Sequence, residues 1–394
     1  MFNKIFLHIG LPKTGTTYLQ NAFDALSREA LLSQTSYPVF NRDCDPTHIQ
    51  SGNGEAIAYQ LLAEHVPVFC EQTVRDLIEN LLAAADQSKA NLLISSEHFS
   101  NAEPSRMQYV LDVLKGHAAA IEVVVFLRPL DRLCHSRYHQ EVKRHAESRS
   151  YGASFFAAFC TKLLQQVTLV GNLPCTVHVV DYRMGGLLAV MLHMLGEDPD
   201  LQVPFTDAVV NRSLTKNELQ LLRQINSIFK RPELSTSISD RWIYANPQAK
   251  SIRAHEEREL LFSVFKEHVS ERADAIATPT CQTMLNLLMP LHTTGEGEAE
   301  HGRTSCSAED QPANEDLIQI ALEEMAKLMQ VNNLLGEYTE QLVPTRDAFD
   351  PVHYLLLNQD VLAAKVDPVK HFKQFGYNER RFTSFITIPK VFDQ

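Results

Sequence analysis

The segment Phe6-Leu-His-Ile-Gly-Leu-Pro-Lys-Thr-Gly-Thr-Thr-Tyr-Leu19 decides the fold. An apolar run ends at a glycine, a short loop rich in Gly and Thr follows, and a helical pattern begins at Thr16. Strand, tight loop and helix start in that order form the geometry in which successive backbone N–H groups and the helix dipole hold a phosphate-like anion. Gly10 and Gly15 stand at the P-loop spacing, G-x-x-x-x-G. The Walker pattern wants Lys-Ser/Thr directly after the second glycine. Here Thr16 and Thr17 take those places, and the lysine is Lys13, two residues before Gly15. A loop of this kind still cradles an anion, but it supplies its cation at a different oxygen.

Outward from the loop, residues 4 to about 182 alternate between strand and helix. Strand-like runs lie at 4–9, 91–95, 121–127 and 176–180, with a weaker one at 37–40. Helical patterns lie near 16–32, 54–64, 71–87, 104–115, 131–147 and 152–168. The strands are short, β-branched and apolar on both faces, as strands of a parallel sheet covered on each side must be. The expected fold is therefore α/β: a doubly wound, mainly parallel five-stranded sheet of the P-loop type.

Thr215-Lys-Asn-Glu218 is a capping box that opens a further helix, and another helical stretch covers about 254–275. From 293 to 316 the composition turns to Gly, Glu, Ser, Thr and Pro, the mark of a solvated, disordered acidic linker. The expected division is a P-loop domain at 1–292, the linker at 293–316, an amphipathic helix at 317–343 and a small helical module at 344–394. In that helix Leu317, Ala321, Leu328, Val331, Leu335, Tyr338 and Leu342 hold a heptad register that Glu324 breaks. The stripe suits either a homodimer through 317–342 or a helix lying on a neighbouring domain.

Composition excludes several classes. The 394 residues carry 36 Lys/Arg against 48 Asp/Glu, a formal charge of −12, which makes a generic nucleic-acid binder a poor reading. With 44% apolar and 21% charged residues the chain is an ordinary globular one, long enough for two or three domains. The longest apolar runs, 123–127 and 284–291, are core-sized, so no transmembrane segment is expected. The N-terminus lacks a small-residue cleavage site after its apolar run, which reads as a cytoplasmic start. Seven scattered cysteines with no C-x-x-C fit a reducing compartment and give no zinc pattern.

Two segments carry a family resemblance. Pro12-Lys-Thr-Gly-Thr-Thr17 resembles the 5′-phosphosulfate loop of sulfotransferases that use 3′-phosphoadenosine 5′-phosphosulfate. Val125-Phe-Leu-Arg-Pro-Leu-Asp-Arg-Leu-Cys-His-Ser-Arg-Tyr138 is similar to that family's 3′-phosphate segment. The resemblance implies that Lys13, Thr14, Gly15, Thr16 and Thr17 grip the sulfonate donor, and that Arg128 and Ser136 bind its 3′-phosphate. Independently, an arginine at the carboxyl end of a strand points into the crevice where α/β proteins bind ligands, and its fork suits phosphate. Arg128, Arg132, Arg137, Lys143 and Arg144 give the stretch a local excess of positive charge. All but Arg128 read as a solvated face. The likeness extends over about residues 1 to 250, including Tyr182 and Val210-Asn-Arg-Ser-Leu214. The Arg-Lys-Gly segment of cytosolic small-molecule sulfotransferases is missing from the sequence.

Sulfonate transfer needs a base across the donor from the loop. Glu97 ends the strand Asn91-Leu-Leu-Ile-Ser-Ser-Glu-His98, which is expected to lie beside the first strand. His48, in Asp43-Cys-Asp-Pro-Thr-His48, competes with it, because a histidine of ordinary pKa needs no tuning to act. His98 reads as a surface residue. The C-terminal segments Phe349-Asp-Pro-Val-His-Tyr354 and Val366-Asp-Pro-Val-Lys-His371 each open with an N-cap and proline, and the region to Arg381 resembles a short helical module appended to bacterial glycan enzymes. Together these imply a bacterial enzyme that sulfates a saccharide or glycan acceptor without a metal. The alternatives are a P-loop kinase or NTPase, which lacks its Lys-Ser/Thr pair here, and an inactive scaffold for glycan-assembly partners.

Overall fold

The computed structural model describes residues 1–11, 13–39, 52–203, 212–247, 249, 257–289, 314–337, 354–355, 358–372 and 374. His48, the stretch 293–313 and most of 344–394 lie outside the described residues. Two compact units are formed. The first comprises Met1–Arg137, Tyr151–Val209 and Ala254–Glu298, the second Tyr138–Ser150, Val210–Arg253 and Ala299–Gln394.

The first unit holds the sheet. In chain order it runs β1 (Phe2–Ile9), α1 (Thr16–Arg28), β2 (Thr35–Ser36), α2 (Glu55–Gln60), α3 (Glu71–Ala84), β3 (Asn91–Ser96), a 3₁₀ turn (Glu97–Asn101), α4 (Pro104–Leu114) and β4 (Ala118–Leu127). The start of α5 (Leu130–Arg144) follows, then α6 (Ala153–Gly171), β5 (Thr176–Asp181), a 3₁₀ turn (Tyr182–Met184) and α7 (Leu187–Leu195). The five strands are all parallel and lie in the order β2-β3-β1-β4-β5. This is the doubly wound α/β fold expected, with β1 at its centre. Because the chain turns one way from β1 and later crosses to β4, the carboxyl ends of β3, β1 and β4 flank the switch point, where such sheets bind ligands.

Helix α1 buries Leu19, Ala22, Phe23 and Leu26, spaced i, i+3, i+4, i+7, on Phe6, Leu93, Val124 and Phe126 of the sheet. It ends at Arg28, short of the expected residue 32, where Ala30 takes a left-handed φ of 53°. Strand β2 lies at Thr35–Ser36 rather than 37–40, and Tyr37 instead turns into the core. The buried Glu197 fixes this entry: its carboxylate accepts from the Ser33, Gln34 and Thr35 amides at 2.8, 2.8 and 2.7 Å. Helix α6 is long and apolar enough to cross a membrane by length and composition. It was not among the apolar runs singled out above, because Thr161, Lys162 and two glutamines interrupt it. Phe156, Cys160, Leu163, Leu164, Val167 and Val170 on it are buried, and it packs on α10 (Arg258–Glu271) and α11 (Pro279–Leu288) as a core helix does.

In the second unit, α8 (Lys216–Phe229) opens with the expected capping box between Thr215 and Glu218. Arg212 donates to both Glu218 oxygens at 2.7 Å and to the Asn246 carbonyl at 2.7 Å, so its charge is spent on structure. Lys143, expected on a solvated face, is buried and donates to the Arg212 carbonyl. Arg144 pairs with Asp240 at 2.6 Å. Helix α9 (Pro232–Ala245) packs on α12 (Asn314–Glu337) through Trp242, whose indole N–H donates to the Leu317 carbonyl at 3.1 Å. Glu324, the break in the heptad, is an anchor: buried on α12, it binds Arg241 at 2.8 Å, Lys327 at 2.7 Å and the Ser237 hydroxyl. Val331 of α12 joins Tyr354, Leu355, Val361 and Leu362 in a small separate core.

Candidate functional site

The loop after β1 turns tightly into α1. Gly15 caps α1 with a φ of 82° and, having no side chain, leaves the first-turn amides without a bond from the N-cap residue, an arrangement that suits an anion. Gly10 is required by close approach: a Cβ there would stand 2.3 Å from Thr16 Oγ1. Gly15 is required both by its φ and by Leu187, whose Cδ1 would lie 2.7 Å from a Cβ. Lys13 also takes a left-handed φ, 69°, a conformation costly for a residue with a Cβ. The Thr14 hydroxyl donates to the Leu11 carbonyl at 2.6 Å and closes the turn. Thr16 Oγ1 is buried without a partner among the described residues. That oxygen is packed against Gly10, so what the loop offers an anion is the amides of the helix start.

The second motif arrives at the same place. Arg128 follows the last residue of β4, and its Nη1 donates to the Lys13 carbonyl at 3.4 Å. Its guanidinium carbon lies 5.2 Å from the centroid of the Tyr182 ring, at the end of β5, a cation–π arrangement that holds the fork in one orientation. The same ring edges toward Gly15. The fold thus brings together Lys13, Thr14, Gly15, Thr16, Arg128 and Tyr182, from three parts of the sequence. Thr17 is exposed beside them, and Ser136 lies half-buried in the second turn of α5.

Strand β3 lies beside β1, with Ile9 opposite Ser96, and the Gly10 amide donates to the Ser96 carbonyl at 3.2 Å. Glu97, the next residue, opens the 3₁₀ turn that follows β3, adjacent in the chain to the residue that pairs with Gly10. His98 is half-buried with its Nε2 4.0 Å from Glu55, rather than a plain surface residue. Burial, reinforced by His65, holds its pKa below the ordinary 6.5, and the neighbouring Glu97 charge only partly opposes this. A neutral imidazole at the end of β3 is thus present at pH 7. The sequence reading placed it on the surface, because its burial arises only in the fold.

Beneath the loop, His8 is buried on β1. Its Nδ1 lies 2.9 Å from Ser95 Oγ, which also accepts from Gln20 Nε2 at 3.2 Å. Full burial lowers the His8 pKa to about 4, so the ring is neutral. Among the described residues no group of three or more His, Cys, Asp or Glu is arranged to hold a metal.

No family model matches the chain, and no curated protein matches it. Among solved structures it is similar to a sulfotransferase from Alicyclobacillus acidocaldarius, with 12% identity, 61% of this chain and 96% of that one covered, and a TM-score of 0.33. It is also similar to the sulfotransferase domain from the curacin biosynthetic pathway, with 13% identity, 67% and 98% covered, and a TM-score of 0.29.

Proposed function

We propose that the protein transfers a sulfonate group from 3′-phosphoadenosine 5′-phosphosulfate to a hydroxyl or amine of a saccharide acceptor. One observation supports the reading: Arg128 Nη1 donates to the Lys13 carbonyl at 3.4 Å, so the two motif segments, more than a hundred residues apart in the chain, lie side by side. A donor with phosphate at both ends of its ribose needs two grips. The uncapped start of α1 and Lys13 suit the phosphosulfate, and Arg128 with Ser136 suits the 3′-phosphate. The saccharide acceptor rests on the sequence resemblance of residues 349–381 to a short module appended to bacterial glycan enzymes.

In this reaction the acceptor oxygen or nitrogen forms a bond to sulfur, the bond from sulfur to the phosphate oxygen breaks, and the acceptor proton goes to a base. The work of the chain is positioning and charge stabilisation on the leaving oxygens, as in phosphoryl transfer. Lys13 meets the charge developing on the leaving phosphate. Glu97 or the neutral His98, at the end of β3, takes the proton, with His48 a third candidate on the sequence alone.

Two experiments test this. Arg128→Ala should weaken binding of adenosine 3′,5′-bisphosphate by about 2 kcal/mol, the scale of a lost charged hydrogen bond, as read by calorimetry. Binding of adenosine 5′-phosphate should barely change, and equal losses for the two ligands would make Arg128 structural. Transfer assayed in excess chelator should keep its full rate, because lysine, arginine and loop amides meet the donor's charge. A strict magnesium requirement would favour the kinase reading, and bisphosphate binding without turnover on any saccharide would favour the scaffold.

A further inference from the structure

Four segments meet at one buried residue beneath the loop. Ser95 lies directly opposite His8 in the β1·β3 register, and its hydroxyl joins His8 Nδ1 at 2.9 Å and Gln20 Nε2 of α1 at 3.2 Å. Its backbone amide donates to Asn53 Oδ1 at 2.8 Å, and its carbonyl accepts from the Gly54 amide at 3.0 Å. Gly52 sits so close that a Cβ would meet the Ser95 carbonyl at 2.1 Å and Gln20 Nε2 at 2.5 Å. Each joined strand continues for one residue, to Ile9 and to Ser96, after which β1 leads into Gly10 and the donor loop and β3 into Glu97 and His98.

Packing does not explain His8. The ring lies edge-on against Phe126, centroids 5.7 Å apart, and its neighbour on the same strand face, Phe6, belongs to an apolar core. Its Nε2 is buried with no partner among the described residues. Leaving such an atom unpaired is costly, and a phenylalanine would fill the same space without that cost. A polar ring kept here at a net penalty points to what its other nitrogen does.

We infer that His8 is a positioning residue: through Ser95 it locks the donor loop on β1 to the Glu97–His98 end of β3, so that the occupied loop and the proton acceptor hold one spacing. It touches neither donor nor acceptor and acts through Ser95. The kinetic arm of the test rests on the proposed transfer reaction; the binding arm needs only that the loop takes an anion.

The test is hydrogen exchange read by mass spectrometry with adenosine 3′,5′-bisphosphate or inorganic pyrophosphate as probe, beside steady-state kinetics. In the wild type, either probe should slow exchange at the head of α1 and also in the Glu97–Asn101 turn. In His8→Phe the protection of α1 should remain and that of the turn should be lost. The variant's kcat should fall by about 10- to 100-fold, the cost of a displacement of order 1 Å, with KM for the donor unchanged. Ser95→Ala reaches the same junction from β3 and should give the same pattern, with the double variant no worse than either single one. His8→Asn, which keeps a polar atom near the position of Nδ1, should recover most of the turn's protection. The inference is overturned if His8→Phe keeps the turn's protection, if protection of α1 is lost with it, or if neither probe protects the turn in the wild type. Protection by pyrophosphate but not by the bisphosphate would count against the donor assignment and leave the coupling intact.

Discussion

Lys13→Ala is expected to lower turnover by about 10²- to 10³-fold at saturating donor, the loss typical of removing one preorganised group from a developing negative charge. The fold should survive, because Lys13 sits in the loop and outside every apolar cluster described. Alanine brings a complication that the structure itself exposes. With a φ of 69° at this position, any side chain is strained, and alanine keeps that strain while removing the ammonium. Lys13→Gly separates the two effects, since glycine adopts left-handed φ without penalty. Both variants should be equally inactive and both should keep circular dichroism like that of the wild type. If Lys13→Gly turned over near the normal rate, the ammonium would have no part in the chemistry and the loop assignment would fall.

Loss of the base should cost as much or more. Replacing the group that takes the acceptor proton is expected to reduce kcat by about 10²- to 10⁴-fold. Glu97→Gln and His98→Gln are the informative pair, because both residues directly follow β3 and both substitutions nearly preserve shape or polarity. The pH profile then separates His98 from His48. Only the neutral imidazole accepts a proton, and burial lowers the pKa of His98. If His98 is the base, the falling limb should lie at lower pH than that of an ordinary histidine. A histidine of ordinary pKa, as expected for His48, gives a falling limb near pH 6.5 instead. If Glu97→Gln, His98→Gln and His48→Ala all kept more than about a tenth of wild-type turnover, far from the loss a base brings, none of them would be the base.

How much of this was legible in the sequence depended on whether a residue's partner lay nearby in the chain. The strands were readable because apolar β-branched runs covered on both faces leave a local mark, and the loop because glycine spacing is a local constraint. Strand β2 was misplaced by two residues because its position is set by Glu197, about 160 residues further on, which binds the three amides leading into it. Lys143 resembled any residue of a charged helix, and only the tertiary fold gives it the Arg212 carbonyl. Glu324 looked like a flaw in an apolar stripe, yet Arg241 and Ser237 on α9 make it the polar anchor of α12. At the site, Lys13 and Arg128 each stood in a recognisable motif. The surroundings of His8 and His98 left no such mark, since the Ser95 contact of the one and the burial of the other arise only in the fold.

The central claim, sulfonate transfer, is tested most directly by incubating the purified protein with donor labelled in its sulfonate sulfur and a panel of saccharides in excess chelator. Label appearing in a saccharide, with release of adenosine 3′,5′-bisphosphate and loss of both signals in Lys13→Ala, is the predicted result. Contradiction would be the absence of labelled product from every saccharide together with magnesium-dependent transfer of the terminal phosphate of ATP by the same preparation.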